Sequence, residues 1–326
     1  MNAGLCASLA TRLLAAEESG SLITKVIPST GERLPVIGLG TNQFDESIAL
    51  ALREVLARFV ELGGRVVDTA AVYGSSESVI GKLLAEARLR NKVFLATKFT
   101  GPDGLGMPGP PVGGRSALSE EAMQAQRQRL QELLRNQVFG EESFKRSLQR
   151  LQTDHVDLLY VHNMSGTEAL LPQMQEWRRT GKLRYIGIST SNKIQHGKMV
   201  NEMQKFPVDF VEVNYSIAGR DAETTVLAEA LARKIAVVVN VPLGGPGGIS
   251  LASVAGKQLP PFAAEIGVTS WAQYMLKFVA SHPAVTCVIS GSTKFSHLED
   301  NQRAARGVLP DAAMRRRMQE YWDSVV

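Results

Sequence analysis

Apolar and polar positions along this chain follow two alternating periods. Short runs rich in β-branched residues recur eight times: VIGLG from Val36, RVVDTA from Arg65, VFLATKF from Val93, VDLLYVH from Val156, LRYIGIS from Leu183, DFVEVNY from Asp209, AVVVNVP from Ala236 and AVTCVIS from Ala284. Between them, apolar residues return every three or four positions, as on one face of a helix. These segments predict helices over 47–62, 75–88, 168–180, a stretch ending near 205, 221–234, 270–279 and 295–306. The strands are apolar on both faces, as a parallel sheet covered by helices requires. Eight such units with right-handed crossovers close into a barrel. The rival, a doubly wound sheet, needs a glycine fingerprint after its first strand, and Gly38-Leu39-Gly40-Thr41-Asn42-Gln43 lacks the third glycine. Upstream, residues 23–27, the turn STGE and residues 34–37 read as a β-hairpin. The expected fold is therefore α/β: one (β/α)8 TIM-barrel domain over 23–326, with an N-terminal hairpin and inserted rim loops.

Two stretches break the rhythm. Residues 101–116 are rich in Gly and Pro, and 119–136 read as a helix with Met123, Leu130, Leu133 and Leu134 on one side. Together they form an insertion over 101–139 after the third barrel strand, and a second long loop covers 243–269. Barrel enzymes keep their active sites at the C-terminal rim of the strands, where both insertions emerge. The 119–136 helix is expected beside that mouth as a lid or subunit contact, with a surface embellishment as the equal alternative. Residues 1–22 read as a tail or short docking helix. Residues 3–16 resemble a signal-peptide core, but no basic residue precedes them and Arg12 interrupts the apolar run. The expected location is cytoplasmic, an exported form with a lost leader being the alternative.

Composition narrows the function classes. The 326 residues are 44% hydrophobic and 21% charged, an ordinary globular balance. No run of apolar residues is long enough to span a bilayer, so no membrane partner is expected. The net charge of +4 is not gathered into a basic stripe with aromatics, so no nucleic-acid partner is expected. Arg315, Arg316 and Arg317 read as a solvated helix face. Cys6 and Cys287 are the only cysteines, which excludes a disulfide framework, and Cys287 reads as a small buried hydrophobe. His155 and His282 read as surface loop residues. Trp177 and Trp271 read as helix-core residues, and Trp322 as a helix-packing residue in a tail that could also reach the mouth. No metal is expected, and the chain is expected to be a monomer or weak homo-oligomer.

Polar side chains at the ends of otherwise apolar strands carry the chemistry. Asp68 ends the second barrel strand, Tyr73 follows five residues later, Lys98 ends the third strand and His162 the fourth. In a barrel these positions converge on one rim. A buried Asp and a buried Lys are costly unless paired, so each implies the other. The set suits carbonyl reduction, in which a hydride reaches the carbonyl carbon and a proton must reach its oxygen. A free tyrosine, with a pKa of about 10, is a weak acid at neutral pH. A neighbouring Lys98 cation is expected to lower the pKa of Tyr73, Asp68 to hold that cation, and His162 to orient the carbonyl or relay a proton.

With these residues placed, the chain resembles the aldo-keto reductase family. The resemblance rests on LPVIGLGT, VVDTAAVYGSSESVIGKLL, FLATKF, DLLYVHN, GKLRYIGIS, VEVNYS and ISGSTKFSHLEDN, in family order from about Ile23 to Pro310. It implies a barrel whose bottom is closed by a hairpin, and Asp68, Tyr73, Lys98 and His162 match the family's catalytic four. The longer spacing from Lys98 to His162 is accounted for by the 101–139 insertion. It also implies a nicotinamide cofactor site formed by Gly40, Thr41, Asp68, Ser189, Thr190, Glu212, Tyr215, Pro242, Leu243, Gly244, Gly245, Gly291, Ser292, Thr293, Lys294, His297 and Asn301. Within it, Ser189, Thr190 and Glu212 would hold the carboxamide and Tyr215 would stack on the ring. The glycine-rich loop after the seventh strand would cover the pyrophosphate, and the turn into the last repeat's helix would take a phosphate. Glu212 and Thr190 stand where relatives often have amides. Gly291 and His297 stand where many have Lys and Arg on the adenosine 2′-phosphate, with Lys294 available to compensate. NADPH is favoured and NADH is the alternative. The expected function is NAD(P)H-dependent reduction of an aldehyde, ketone or imine. The alternatives are a nucleotide-binding regulatory subunit resembling the potassium-channel β-subunits, and a barrel isomerase or lyase using Lys98 as a Schiff base.

Overall fold

The computed structural model describes residues 20–100, 124, 138–245 and 248–326. The tail before Gly20, the Gly/Pro-rich stretch 101–116 and, Gln124 apart, the helix expected over 119–136 lie outside the described residues. A two-stranded antiparallel hairpin, β1 (Thr24–Val26) and β2 (Arg33–Pro35), precedes eight parallel strands. These are β3 (Ile37–Gly40), β4 (Val66–Asp68), β5 (Phe94–Thr100), β6 (Val156–His162), β7 (Leu183–Ser189), β8 (Phe210–Asn214), β9 (Ala236–Asn240) and β10 (Val285–Gly291). They close into a barrel in sequence order, with β10 hydrogen-bonded to both β9 and β3. Around it lie α1 (Ala49–Glu61), α2 (Ser76–Glu86), α3 (Val138–Arg150), α4 (Thr167–Arg179), α5 (His196–Lys205), α6 (Val226–Arg233), α7 (Trp271–Ala280), α8 (Phe295–Arg303) and α9 (Ala312–Val325).

Strand parity explains how this frame builds a site. In a strand successive side chains face opposite ways. One parity fills the barrel: Phe94 and Ala96 of β5, Leu158 and Tyr160 of β6, Phe210 of β8, Ala236 and Val238 of β9 share one interior cluster with Ile27 and Leu34 of the hairpin. The other parity, including Leu95, Phe99, Val211, Val213 and Val239, packs under the helices. In the hairpin turn, Thr30 and Glu32 bond Tyr185, and Glu32 also takes Arg184, at the start of β7, so the hairpin plugs the N-terminal end. Lys25 locks it there, donating from Nζ to the carbonyls of His282 (2.7 Å) and Val285 (2.8 Å). Continued to the opposite end, the inward parity delivers Asp68, Lys98, His162, Ser189, Glu212, Asn214, Asn240 and Gly291 to one rim.

Several elements differ from the sequence reading. The helix expected over 221–234 begins only at Val226, because residues 221–225 form turns and Thr225 (φ −123°, ψ −95°) is not helical. The strand expected through Pro242 stops at Asn240, since Val241 adopts φ 53°, which a strand cannot continue through. The long 243–269 excursion contains two 3-10 helices, Leu251–Val254 and Pro261–Ile266, which bury Val254, Ala263 and Ile266. Trp271, the first residue of α7, stacks on Tyr321 and meets Trp322 edge-on, and Tyr321 also meets the Phe262 ring and donates to the Gln258 carbonyl, so α9 is packed against both α7 and this excursion. Arg315 is not solvated as expected. It donates to the Phe278 carbonyl, Ser281 Oγ, Tyr215 Oη and Glu223 Oε1. His282 is likewise half-buried against the Tyr215 ring, with burial pulling its pKa down to about 4.

Candidate active site

Lys98 is the centre of the rim cluster. Its ammonium is 1% exposed and touches Asp68 Oδ1, Glu212 Oε2 at 3.1 Å and the Thr69 carbonyl at 3.3 Å. The bond to Asp68 is a direct charged hydrogen bond. The Glu212 contact is close enough for an ion pair but is not aligned as a hydrogen bond. Burying an ammonium costs several kcal/mol unless opposite charge faces it. Burial works against the Lys98 charge, but Asp68 and Glu212 outweigh it and hold the lysine above its ordinary range. Asp68 is pushed well above the carboxylate range by burial and by the Glu212 charge, against the pull of Lys98.

Tyr73 hangs over this cluster. Lys98 Nζ lies 5.5 Å from its ring centroid, and the His162 ring meets it edge-on at 6.2 Å. The loop that carries it is pinned from behind. Ser76 Oγ donates to the Thr41 carbonyl (2.8 Å), accepts from Thr69 Oγ1 (2.9 Å) and lies 2.8 Å from Thr41 Oγ1. Thr41 Oγ1 donates to the Asp68 carbonyl (2.9 Å). One buried hydroxyl network thus fixes the ends of β3 and β4 and the turn that aims Tyr73. The expectation that Lys98 lowers the Tyr73 pKa is reversed in net effect. Burial, with Glu212 and Asp68, outweighs the lysine and pushes the phenol up to about 12. The phenol therefore keeps its proton across the neutral range. His162 is pulled down to about 3 by burial and the Lys98 charge, so its imidazole is neutral, and its Nδ1 is buried without a hydrogen-bond partner. Asn163 and Met164, just after it, both have φ above 50°. Strained backbone of this kind costs on the order of 1–3 kcal/mol each and persists where surrounding structure enforces it.

Of the residues tied by resemblance to a cofactor, some meet this rim and some do not. Ser189 ends β7 beside His162 in register, with Oγ buried and unpartnered. Thr190 Oγ1 donates to Gln195 (2.6 Å) and Thr41 is locked in the hydroxyl network, so neither offers a free hydroxyl. Glu212 faces Lys98 with Oε2 and accepts from Asn240 with Oε1. Tyr215 is turned away from the rim: it has outward parity, packs beside Phe278 and His282, and bonds Glu223 and Arg315. It cannot stack on a ring held beside Tyr73. Gly40 and Gly291 pair where β3 and β10 end. Pro242 is buried, Leu243 packs on the core, and Gly244 and Gly245 continue the loop. Gly244 (φ +83°) needs to be glycine, because a Cβ would meet the Ile249 carbonyl at 2.4 Å. Ser292 and Asn301 are buried and bonded to one another at 3.4 Å, Thr293 is half-buried, and Lys294 and His297 are exposed at the start of α8. No side chain caps that N-terminus, whose free N–H groups favour an anion.

Asn240 was missed from the sequence. Its inward side chain donates to the Thr190 carbonyl (3.1 Å) and Glu212 Oε1 (3.0 Å), while its Oδ1 is buried without a partner. His162 Nδ1, Ser189 Oγ and Asn240 Oδ1 are thus three unsatisfied polar atoms on the ends of β6, β7 and β9. Such groups are rare in folded interiors and mark a place for a polar ligand. Parity along AVVVN would have identified Asn240.

A model of the aldo/keto reductase family matches residues 36–321. Among curated proteins, the aldo-keto reductase yakc [NADP(+)] of Schizosaccharomyces pombe is 29% identical over 227 residues, 65% of this chain. The match spans 59% of the yeast protein's length. The uncharacterized oxidoreductase YrpG of Bacillus subtilis is 29% identical over 326 residues, covering 88% of this chain and 92% of that one. Among solved structures, an aldo/keto reductase from Klebsiella pneumoniae in complex with NADP and acetate superposes with a TM-score of 0.67 at 21% identity, covering 90% and 93% of the two chains. That likeness is one of fold.

Proposed function

This chain belongs to the aldo/keto reductase family, and we propose that it reduces an aldehyde or ketone, or the related imine, with NADPH, using Tyr73 as the general acid. The observation that carries the reading is the buried Asp68–Lys98 pair under a protonated Tyr73, with neutral His162 at its edge. A bound nicotinamide supplies the hydride. Ser189 Oγ and Asn240 Oδ1, buried and unpartnered, suit its carboxamide in place of Thr190 and Glu212. NADPH is preferred to NADH because Lys294 stands free at the α8 N-terminus, where its charge suits a 2′-phosphate, and because the yeast relative is named for NADP(+).

Tyr73 donates its phenolic proton to the carbonyl oxygen. Lys98 stabilises the phenolate left behind, since Asp68 and Glu212 hold it in its charged form. His162 is uncharged and so serves as a hydrogen-bond partner that orients the carbonyl. The complete set favours turnover over a purely nucleotide-sensing role, which would tolerate loss of Tyr73 or Lys98. The test is a screen of NADPH and NADH oxidation over aldehydes, ketones and cyclic imines, repeated with Tyr73→Phe. On the best substrate the Phe variant should lose about 10³-fold in kcat while binding cofactor with nearly unchanged Kd. A Phe variant active at neutral pH overturns the acid assignment, and a clear NADH preference overturns the cofactor choice.

A further inference from the structure

Three acidic or basic groups share one space: Asp68, Lys98 and Glu212 come from β4, β5 and β8, and each is at most 2% exposed. Two carboxylates around one ammonium leave a net charge of −1 in the barrel when all three are ionised. Nothing nearby cancels it. The other groups facing the cluster are Tyr73 from the β4–α2 loop, Tyr160 and His162 from β6, and Cys287 from β10. Each is neutral at neutral pH: burial lowers the pKa of His162 and raises those of the other three. Asn240 on β9 and Ser189 on β7 are uncharged. The oxygens tell the same story. Asp68 Oδ1 takes Lys98 and Glu212 Oε1 takes Asn240, while Asp68 Oδ2 is buried with no hydrogen-bond donor and Glu212 Oε2 has only the Lys98 ammonium, 3.1 Å away and not aligned as a hydrogen bond. A carboxylate is acceptor-only, so these two buried oxygens stay short of a donor unless a proton supplies one. Like-charged carboxylates sharing a site resolve the conflict in this way.

We propose that Asp68 and Glu212 hold one proton between them, so that Glu212 acts as a positioning residue on Lys98 while the shared proton keeps the cluster electrically neutral beside Tyr73. Glu212 and the proton give Lys98 a second acceptor without adding net charge. Tyr73 must become negative when it protonates a substrate, and a neutral cluster permits this where a negative one opposes it. Once the shared proton is lost at alkaline pH, the cluster turns negative and proton donation by Tyr73 slows. The inference deepens the reductase reading and rests on it only for this last consequence.

Two measurements separate the parts. Infrared spectroscopy of the wild-type protein at neutral pH, without substrate, should show the carbonyl stretch of a buried protonated carboxyl. That band should be absent in Glu212→Gln, in which Asp68 ionises against Lys98 alone. A wild type lacking the band overturns the proposal whatever the protein's activity. For the reaction, wild-type kcat should fall on the alkaline side with the loss of the shared proton. In Glu212→Gln the cluster cannot turn negative, so the alkaline fall should move up by at least about one pH unit. A uniform loss of kcat with an unmoved alkaline limb would mean that Glu212 is merely structural. Absence of any carbonyl turnover would sink the reductase reading and leave the infrared result to decide the shared proton.

Discussion

Two lysines in this barrel are equally buried and differently employed. Lys98 and Lys277 are each 1% exposed. Lys98 sits inside the barrel against two carboxylates. Lys277, on the inner side of α7, donates to three backbone carbonyls, those of Ile266 (2.7 Å), Arg306 (2.8 Å) and Val308 (2.9 Å). These carbonyls end the Pro261–Ile266 3-10 helix and form the link between α8 and α9. Lys277 is therefore a clamp that ties three segments outside the barrel together. Carbonyl dipoles satisfy its three N–H donors but bring no opposite charge, and burial pulls its pKa down to about 8. Lys98 is held above its ordinary range, because Asp68 and Glu212 outweigh its burial. Burial alone does not decide what a lysine does. Its partners determine whether the charge is a fixed electrostatic element or a hydrogen-bonding hub.

The same substitution in both places should give opposite phenotypes. Lys98→Met removes the charge that stabilises the Tyr73 phenolate, and reduction should fall by about 10³-fold or more, near 4 kcal/mol in the barrier. Cofactor affinity should be nearly unchanged, because Lys98 lies beneath Tyr73 rather than at the free polar atoms of β7 and β9. Single-turnover kinetics with equilibrium cofactor titration checks both. A Lys98→Met protein that turns over within tenfold of wild type would place Lys98 with Lys277 as a scaffold residue.

Lys277→Met should leave turnover within a few-fold and reduce stability instead. Three carbonyls lose their donor, that of Ile266 buried and those of Arg306 and Val308 partly so, and a fully buried unsatisfied group costs about 1–3 kcal/mol. The cleft on the outer face, lined by Lys277, Arg58 and Gln302, admits water that offsets part of this. The expected net loss is about 3 kcal/mol, several degrees in Tm for a domain of this size. Differential scanning calorimetry measures it. An unchanged Tm together with a large loss of activity would reverse the roles assigned to the two lysines.

Much of the fold and of the rim cluster was legible in the sequence, and the illegible part has a physical pattern. The eight strands, their order and the rim positions of Asp68, Tyr73, Lys98 and His162 follow from hydrophobic period and strand ends, which are local signals. Pairing across the barrel is not local. Glu212 was visible as a carboxylate inside an apolar strand, but that it faces Lys98 depends on how β8 closes against β4 and β5. Arg315 read as part of a solvated run because its partners, Tyr215 and Glu223, lie about a hundred residues away in sequence. Tyr215 is a different case. Phe210, Glu212 and Asn214 share the inward parity, so Tyr215 had to face outward, and the family resemblance overrode a signal already present in VEVNY. Lys277 gave no sign of its role, since backbone carbonyls carry no sequence signature.

The smallest expected effect bears on the neighbour of Lys98. An ordinary imidazole titrates near pH 6.5. Burial first, and then the fixed Lys98 charge, pull His162 down to about 3. A base with a depressed pKa loses its proton more readily in the folded state, so His162 is neutral everywhere above about pH 4. It follows that kcat/KM should be flat from pH 5 to 8, with no acid limb near 6.5, and that labelled-histidine NMR should find the His162 ring unprotonated across that range. The sign also fixes a linkage effect. The unfolded chain takes up this proton below about 6.5 and the folded chain does not, so His162 subtracts stability as pH falls from there toward 3. In Lys98→Met one of the two depressing influences is gone while the larger, burial, remains. The His162 pKa should then rise by about one unit or less and stay below that of a free histidine. A full return to about 6.5 would mean that the lysine charge, not burial, holds this ring neutral. No change would mean that the charge of Lys98 is already cancelled at His162 by the carboxylates around it.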